Sequence, residues 1–206
     1  MVYNIDVEEK SNVKQTIILK ALDLFSAKGY EGVSVSELTE AAGITKPTLY
    51  YYFGSKEGVF EAVCQIYYDQ LNSIITDSAV YKPNPENYFE DIYLTLTKVI
   101  NAYFSFAKTN EAFYRIILTN FSMPTSSIVF KIVEKYHFIQ FDIIDSMFKD
   151  IAKVHGNLKN KNKTLTWSFI GTINSYISLF FSGSGLALND KTGKELVHQF
   201  KHGIFA

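Results

Sequence analysis

The sequence predicts an all-α protein, a three-helix helix-turn-helix unit followed by a larger helical domain, and three observations carry that prediction. Apolar residues recur at helical spacing from Val13 almost to the end of the chain. No stretch alternates apolar and polar residues long enough to make an amphipathic strand, and capping residues stand where the short elements begin and end. With 206 residues, 47% of them hydrophobic, the chain can bury a core in either one large domain or a small domain joined to a larger one.

The first twelve residues, MVYNIDVEEKSN, contain acids and no apolar run, so they are not a signal peptide and read as a loose arm. Val13, Ile17, Ala21, Leu24 and Phe25 then mark a first helix, with Gly29 as its stop. Ser34 and Glu37 stand in the S-x-x-E relation of a capping box, and Gly43 suits the left-handed turn that ends a second, short helix. Thr45 caps a third, in whose first turn Pro47 is tolerated because amides there have no intrahelical partner. Two short helices joined by a glycine turn behind a longer one make a helix-turn-helix. A strand is the competing reading of TLYYYF, since Tyr and Phe favour sheets, but the two caps and the abrupt restart at GSKEGVF favour helix.

From Ser55 a long helical pattern runs through Phe60, Val63, Tyr67, Leu71 and Ile74 and stops before the prolines of YKPNPEN. Further helices are expected over 86–108, 111–121, 126–154, 164–187 and 190–203, with the polar GNLKNKNK at 156–163 as an exposed loop. The domain division expected is 1–54 and 55–206.

Twenty Lys and Arg against 21 Asp and Glu exclude a polycation that grips nucleic acid indiscriminately. The lone Cys64 cannot close an internal disulfide, fits a reducing cytoplasm and reads as a small core residue. Any hold on DNA must come from local arrangement, and ITKPTLYYYFGSK at 44–56 is the place for it. Residues 41–56 hold two lysines and no acid, although residues 1–56 together hold six lysines and seven acids. On a helical wheel Leu49 and Phe53 share an inner side flanked by Tyr52, Pro47 and Tyr51 point the opposite way, and Thr48 and Tyr50 sit on the shoulders. Outward phenols and lysines suit phosphate and sugar, Lys46 stands in the first turn, and Lys56 opens the next helix beside its free amides.

This arrangement resembles the amino-terminal signature of the TetR family of bacterial transcription regulators over residues 13 to 63, through LFSAKGYEGVSVSELTEAAGITKPTLYYYFGSKEGVFEAV. The resemblance implies that Pro47 touches a thymine methyl, that Lys46 and Thr48 read base edges or nearby phosphates, and that Ser36, Thr45, Tyr50, Tyr51 and Lys56 position the DNA backbone. It further implies a homodimer, since a domain that is not net basic needs two copies to grip adjacent major grooves. In the family the last two helices pair with their copies, which places Gly171, Ser175, Ser178 and Ser182 at a dimer interface. Repression is the family's common outcome, with a small-molecule effector bound in the carboxy-terminal domain.

Residues 164–189 carry no charge, and by length they also admit a bilayer span. Asn174 at mid-segment, recurring Ser and Thr, and SGSG at 182–185 favour a buried helix instead, so no membrane is expected. The middle helices hold more rings than a small core requires, which suggests an apolar cavity for a lipophilic or aromatic ligand. Its candidate lining is Asn101, Phe104, Arg115, Phe121, Phe141, Trp167 and Asn174, with Asn120 and Asp142 as further polar anchors. Plain core packing is the alternative for each.

His198 and His202 are four apart, the spacing that offers two imidazoles to a metal, but no Cys or third His stands nearby in sequence, and a solvated last helix is the expectation. His137 and His155 stand isolated. No glycine loop for phosphates, nucleophile elbow or zincin motif occurs, so neither a cofactor, a metal nor an enzyme is expected. The alternative function is a dimeric helical adaptor with degenerate DNA binding.

Overall fold

The computed structural model describes residues 2–84, 86–87, 90–120 and 123–202, with side chains in the first helix from Asn12 onward. Among them it has nine α-helices, a 3-10 turn at Gly156–Leu158, and no strand: α1 Val2–Lys28, α2 Val35–Ala42, α3 Lys46–Phe53, α4 Lys56–Ser78, α5 Glu90–Thr109, α6 Glu111–Asn120, α7 Ile128–Val154, α8 Asn162–Phe181 and α9 Asp190–His202. The all-α expectation holds. The chain forms two compact units, one of residues 1–69 with 112–134, the other of 70–111 with 135–206.

Helix α1 begins at Val2, so the amino-terminal arm is a correction: the segment is helical. It contains neither Gly nor Pro, and a helix nucleated on the apolar stripe beyond Val13 meets nothing there that stops it. The stripe itself packs as expected, with Ile17, Ala21 and Phe25 buried beside Leu38, Leu49, Val59, Phe60 and Val63 in the core of the first unit. The Phe25 and Phe60 rings meet edge-on at 5.2 Å.

The short helices are defined by their ends. Ser34 Oγ accepts from the Glu37 amide and the Glu37 carboxylate accepts from the Ser34 amide, completing the capping box of α2. Gly43 closes α2 at φ 64°, where a side chain is strained. Thr45 caps α3, and α4 follows so tightly that a Cβ added to Gly58 would run into the Phe53 carbonyl oxygen. Gly58→Ala is therefore expected to destabilise the first unit by about 1–3 kcal/mol, as overpacking does, and denaturant unfolding will read the loss.

In the second unit Gly193 lets α9 lie close on α5, since a Cβ there would stand 2.7 Å from Asn101 Oδ1. Leu96, Ile100, Phe104, Phe148, Phe169, Ile173 and Val197 are buried in the core. Phe200 joins Phe148 and Phe169 at ring-centroid distances of 6.1 and 5.3 Å. Helix α8 ends at Phe181, six residues before the expected end at 187, because Gly183 and Gly185 adopt φ values of 76° and 80°. Helix α5 likewise starts at Glu90 rather than at 86.

A buried polar knot joins the α4–α5 connection to the end of α7. The Asp91 carboxylate accepts from Tyr81 Oη at 2.6 Å, from the Ile92 amide at 2.6 Å and from the Asn84 amide at 3.3 Å. His155 Nε2 lies 3.1 Å from Asp91 Oδ1, with both side chains 2% exposed or less. Burial pushes the Asp91 carboxyl upward, but hydrogen bonds from Tyr81, His155, Asn84 and Ile92 outweigh it and hold the group below the usual range. His155 is thus not the isolated residue that its sequence neighbourhood suggests.

Candidate nucleic-acid interface

The candidate interface is the outward side of α3. Thr45 Oγ1 accepts from the Thr48 amide at 3.4 Å and shares a 2.9 Å hydrogen bond with Thr48 Oγ1, so the two hydroxyls hold the start of the helix together. Leu49 is fully buried and anchors the inner side. Phe53, expected in the core, is only half-buried, with Lys14 Nζ 5.8 Å from its ring centroid, because it occupies the last turn of α3 at the edge of the unit. Ser36, Thr45, Lys46 and Pro47 are exposed, and Thr48 is half-buried.

The three tyrosines differ. Tyr51 is 73% exposed, Tyr50 47%, and Tyr52 is half-buried with its ring edge-on to Tyr51 at 5.1 Å. Tyr52 therefore braces Tyr51, an arrangement that limits the freedom a large exposed ring would otherwise lose on contact.

The two lysines differ more. Lys46 is exposed on the first turn of α3. Lys56 turns inward: its ammonium donates to the carbonyls of Tyr30 at 3.1 Å and Val33 at 3.0 Å and lies 4.1 Å from the Tyr30 ring centroid. Two of its three donors are committed to the loop between α1 and α2, and what remains for a phosphate is one donor and a partly shielded charge. Lys56→Met keeps the stem and removes those bonds. It is expected to lower stability by about 1–3 kcal/mol in a denaturant titration, a loss that a purely DNA-contacting lysine would not show.

The nearest acids are occupied as well. The hydrogen bonds from Lys28 and from the Ser34 amide and hydroxyl hold the Glu37 carboxyl down to about 2, and Lys28 Nζ sits 2.6 Å from it. Glu57 is held below the ordinary range first by a backbone amide and then by the Ser55 hydroxyl. The acids that make the domain's count unfavourable are thus partly spent on caps, and the start of α3 remains the place where an anion meets no carboxylate in the sequence between Glu40 and Glu57.

The ligand and interface candidates are scattered by comparison. Phe104 is buried, Phe141 is half-buried, and Trp167 is 53% exposed with its ring 4.6 Å from that of Phe141. Asn101 Nδ2 donates to Asp190 Oδ1 at 2.8 Å, an occupation at the start of α9 that the sequence did not suggest. Arg115 is exposed and belongs to the first unit, Asn174 is half-buried in the second, and Phe121 lies outside the described residues. None of the described ones lines a cavity of about 230 Å³ in the second unit, which is bounded instead by Ile92, Leu96, Phe148, His155, Asn157, Leu158, Leu165, Phe200, Lys201 and His202. Gly171, Ser175, Ser178 and Ser182 are all exposed along one side of α8 and its end, while Thr166, Phe169, Ile170, Ile173 and Ile177 are buried on the other.

Among the described residues no group of three or more His, Cys, Asp or Glu could hold a metal, and no helix is long and apolar enough to cross a membrane. The His198 and His202 rings lie 4.7 Å apart, and both residues are exposed.

A capped, acid-poor recognition helix set on a glycine turn behind α1 and α2 defines a helix-turn-helix DNA-binding protein. The model of the bacterial regulatory proteins of the tetR family matches residues 17–63. The chain is 27% identical over 203 residues to IcaR of Staphylococcus aureus, the negative transcriptional regulator of the biofilm operon icaADBC, covering 94% of this chain and 96% of that protein. Its fold matches FadR from Bacillus subtilis in complex with stearoyl-CoA, at a TM-score of 0.74 and 18% identity over 92% of this chain and 98% of the other. It also matches AibR in complex with isovaleryl coenzyme A and operator DNA, at a TM-score of 0.68 and 20% identity over 91% and 97%. Residues 17–63 thus carry the amino-terminal domain of the TetR family of transcriptional regulators, and the chain is similar over nearly its whole length to a regulator of that kind.

Proposed function

We propose that the protein is a cytoplasmic, homodimeric repressor whose operator binding is relieved by a small lipophilic effector. Residues 1–54 would hold the DNA and residues 55–206 the effector and the dimer contact. The observation that carries the reading is the outward side of α3, where Lys46, Pro47 and Tyr51 are exposed on a helix fixed at both ends. In this reading Lys46, Pro47 and Thr48 meet base edges, while Ser36, Thr45, Tyr50 and Tyr51 position the phosphates. Lys56 contributes at most one donor and mainly holds the α1–α2 loop.

The exposed side of α8 that carries Gly171, Ser175 and Ser178 supports the dimer. Small residues let helices approach, and the Ser175 hydroxyl is already bonded to the Gly171 carbonyl at 2.9 Å, so a partner helix leaves no hydroxyl stranded. An effector acts only if it prefers the state that cannot span both half-sites; tight binding to both states shifts nothing. Proteins of this fold crystallised with acyl-CoA thioesters support an effector with an apolar part.

The test is binding of the purified protein to a duplex of its own upstream intergenic region at several salt concentrations. Few outward cations on the reading surface predict a shallow dependence, a slope of log K on log salt of about −2 to −5 for a dimer that neutralises two to five phosphates. Absence of saturable binding both there and in a genome-wide operator selection would sink the regulator reading in favour of a dimeric adaptor.

A further inference from the structure

A cavity inside the first unit combines an apolar wall with one buried amide that has nothing to bond. It lies between the end of α1, Phe60 of α4, the last turn of α6 and the start of α7, and its volume is about 90 Å³. Phe25, Phe60, Ile116 and Val129 line it and are each 5% exposed or less. Asn120, the last residue of α6, lines it too. It is 3% exposed, and its Nδ2 has no hydrogen-bond partner among the described residues. Two other polar groups on the wall are engaged: Thr119 Oγ1 donates to the Arg115 carbonyl at 2.8 Å, and burial and then the Glu57 carboxylate push the Tyr30 phenol upward. Asn120 is therefore the donor that a bound molecule would meet, and a buried donor costs free energy until an acceptor reaches it.

We infer that this cavity binds a small neutral carbonyl compound, its oxygen accepting from Asn120 Nδ2 and its apolar body against Phe25, Phe60, Ile116 and Val129. Size and polarity together select that class. One water needs about 15 Å³ and two to four polar partners, so the cavity is too large for a single water and too apolar for a cluster of them. A compact molecule of about six non-hydrogen atoms fills such a space, which is well below the roughly 300 Å³ at which drug-sized sites begin. The ligand is neutral because Asn120 offers no charge, and burying an unpaired one is costly. The site is separate from the effector reading of the second unit and does not depend on it. It belongs to the unit that carries α3, where its occupant would touch α1, α4, α6 and α7 at once and hold them together.

The experiment is an NMR titration of the full chain, isotope-labelled at its methionine methyls, with cyclopentanone and with methylenecyclopentane, which has the same shape but no oxygen. Met123 lines this cavity, whereas Met147 is buried in the second unit and serves as the internal control. Cyclopentanone is expected to move the Met123 signal saturably at low millimolar concentration and to leave Met147 in place, as suits so small a ligand. Methylenecyclopentane is expected to bind at least about fivefold more weakly, because it covers the Asn120 donor without meeting it. Asn120→Leu removes the donor and should bring the two affinities together, with a melting temperature no lower than that of the parent. Ser26→Met, which extends into the cavity from α1, should abolish the Met123 response to both molecules. A Met123 signal unmoved at tens of millimolar, a Met147 signal that moves as much, equal affinities in the parent, or a preference for the ketone that survives in Asn120→Leu would each overturn the inference.

Discussion

Lys46→Ala together with Tyr51→Ala is expected to reduce operator affinity by a factor of at least about a thousand, at about 1–3 kcal/mol for each side chain withdrawn from the DNA and with both withdrawals doubled in a dimer. Both residues are exposed, and neither side chain contributes to the core around Leu49, so the melting temperature should stay within about 1 °C of the parent. The two changes should also separate. Lys46→Ala flattens the salt dependence because it removes a charge, whereas Tyr51→Ala lowers affinity almost equally at every salt concentration. Fluorescence anisotropy on a labelled duplex reads both. A double variant that binds as tightly as the parent would remove α3 from the interface.

The second large effect lies in the buried knot. Asp91→Ala is expected to destabilise the second unit by about 3–5 kcal/mol at neutral pH, because it leaves His155 and Tyr81 facing a vacated buried site. Since such a loss threatens folding altogether, Asp91→Asn is the informative companion. The Asp91 carboxyl is held below its ordinary value in the folded protein. The carboxylate's contribution is therefore fully present above the unfolded pKa of about 4 and is lost as pH falls through the folded value. The stability gap between parent and Asp91→Asn should be widest at neutral pH and narrow in acid below about 4. Urea unfolding at three pH values will show it, and a gap that does not change with pH would mean that the carboxylate's charge contributes nothing.

The two ends of α2 and the start of α3 were legible because a cap is a local device. Ser34 and Glu37 are three residues apart, Thr45 and Thr48 likewise, and nothing distant is needed to complete them. The inner and outer sides of α3 followed from the same locality, with Leu49 buried and Tyr51 exposed as the wheel predicts. What escaped was set by pairing across the chain. His155 and Asp91 are 64 positions apart, Asn101 and Asp190 are 89 apart, and Lys56 finds carbonyls 26 and 23 residues away. A lysine at a helix start is an anion site by local rules and a loop clamp in the fold, and only the tertiary structure chooses between them. The end of α8 was half-legible: SGSG warned of a break, but the apolar run suggested continuation, and the left-handed backbone at Gly183 and Gly185 decided it.

The inward turn of Lys56 reaches beyond the integrity of one loop. It leaves Lys46 as the outward cation of the 41–56 segment, so in the proposed reading the grip on DNA would fall mainly to phenols, hydroxyls and amides. Bonds of that kind displace few counterions. A regulator so built would keep its occupancy nearly constant while the potassium inside a cell rises and falls with osmotic stress, a condition under which a lysine-rich reader of the same affinity would let go.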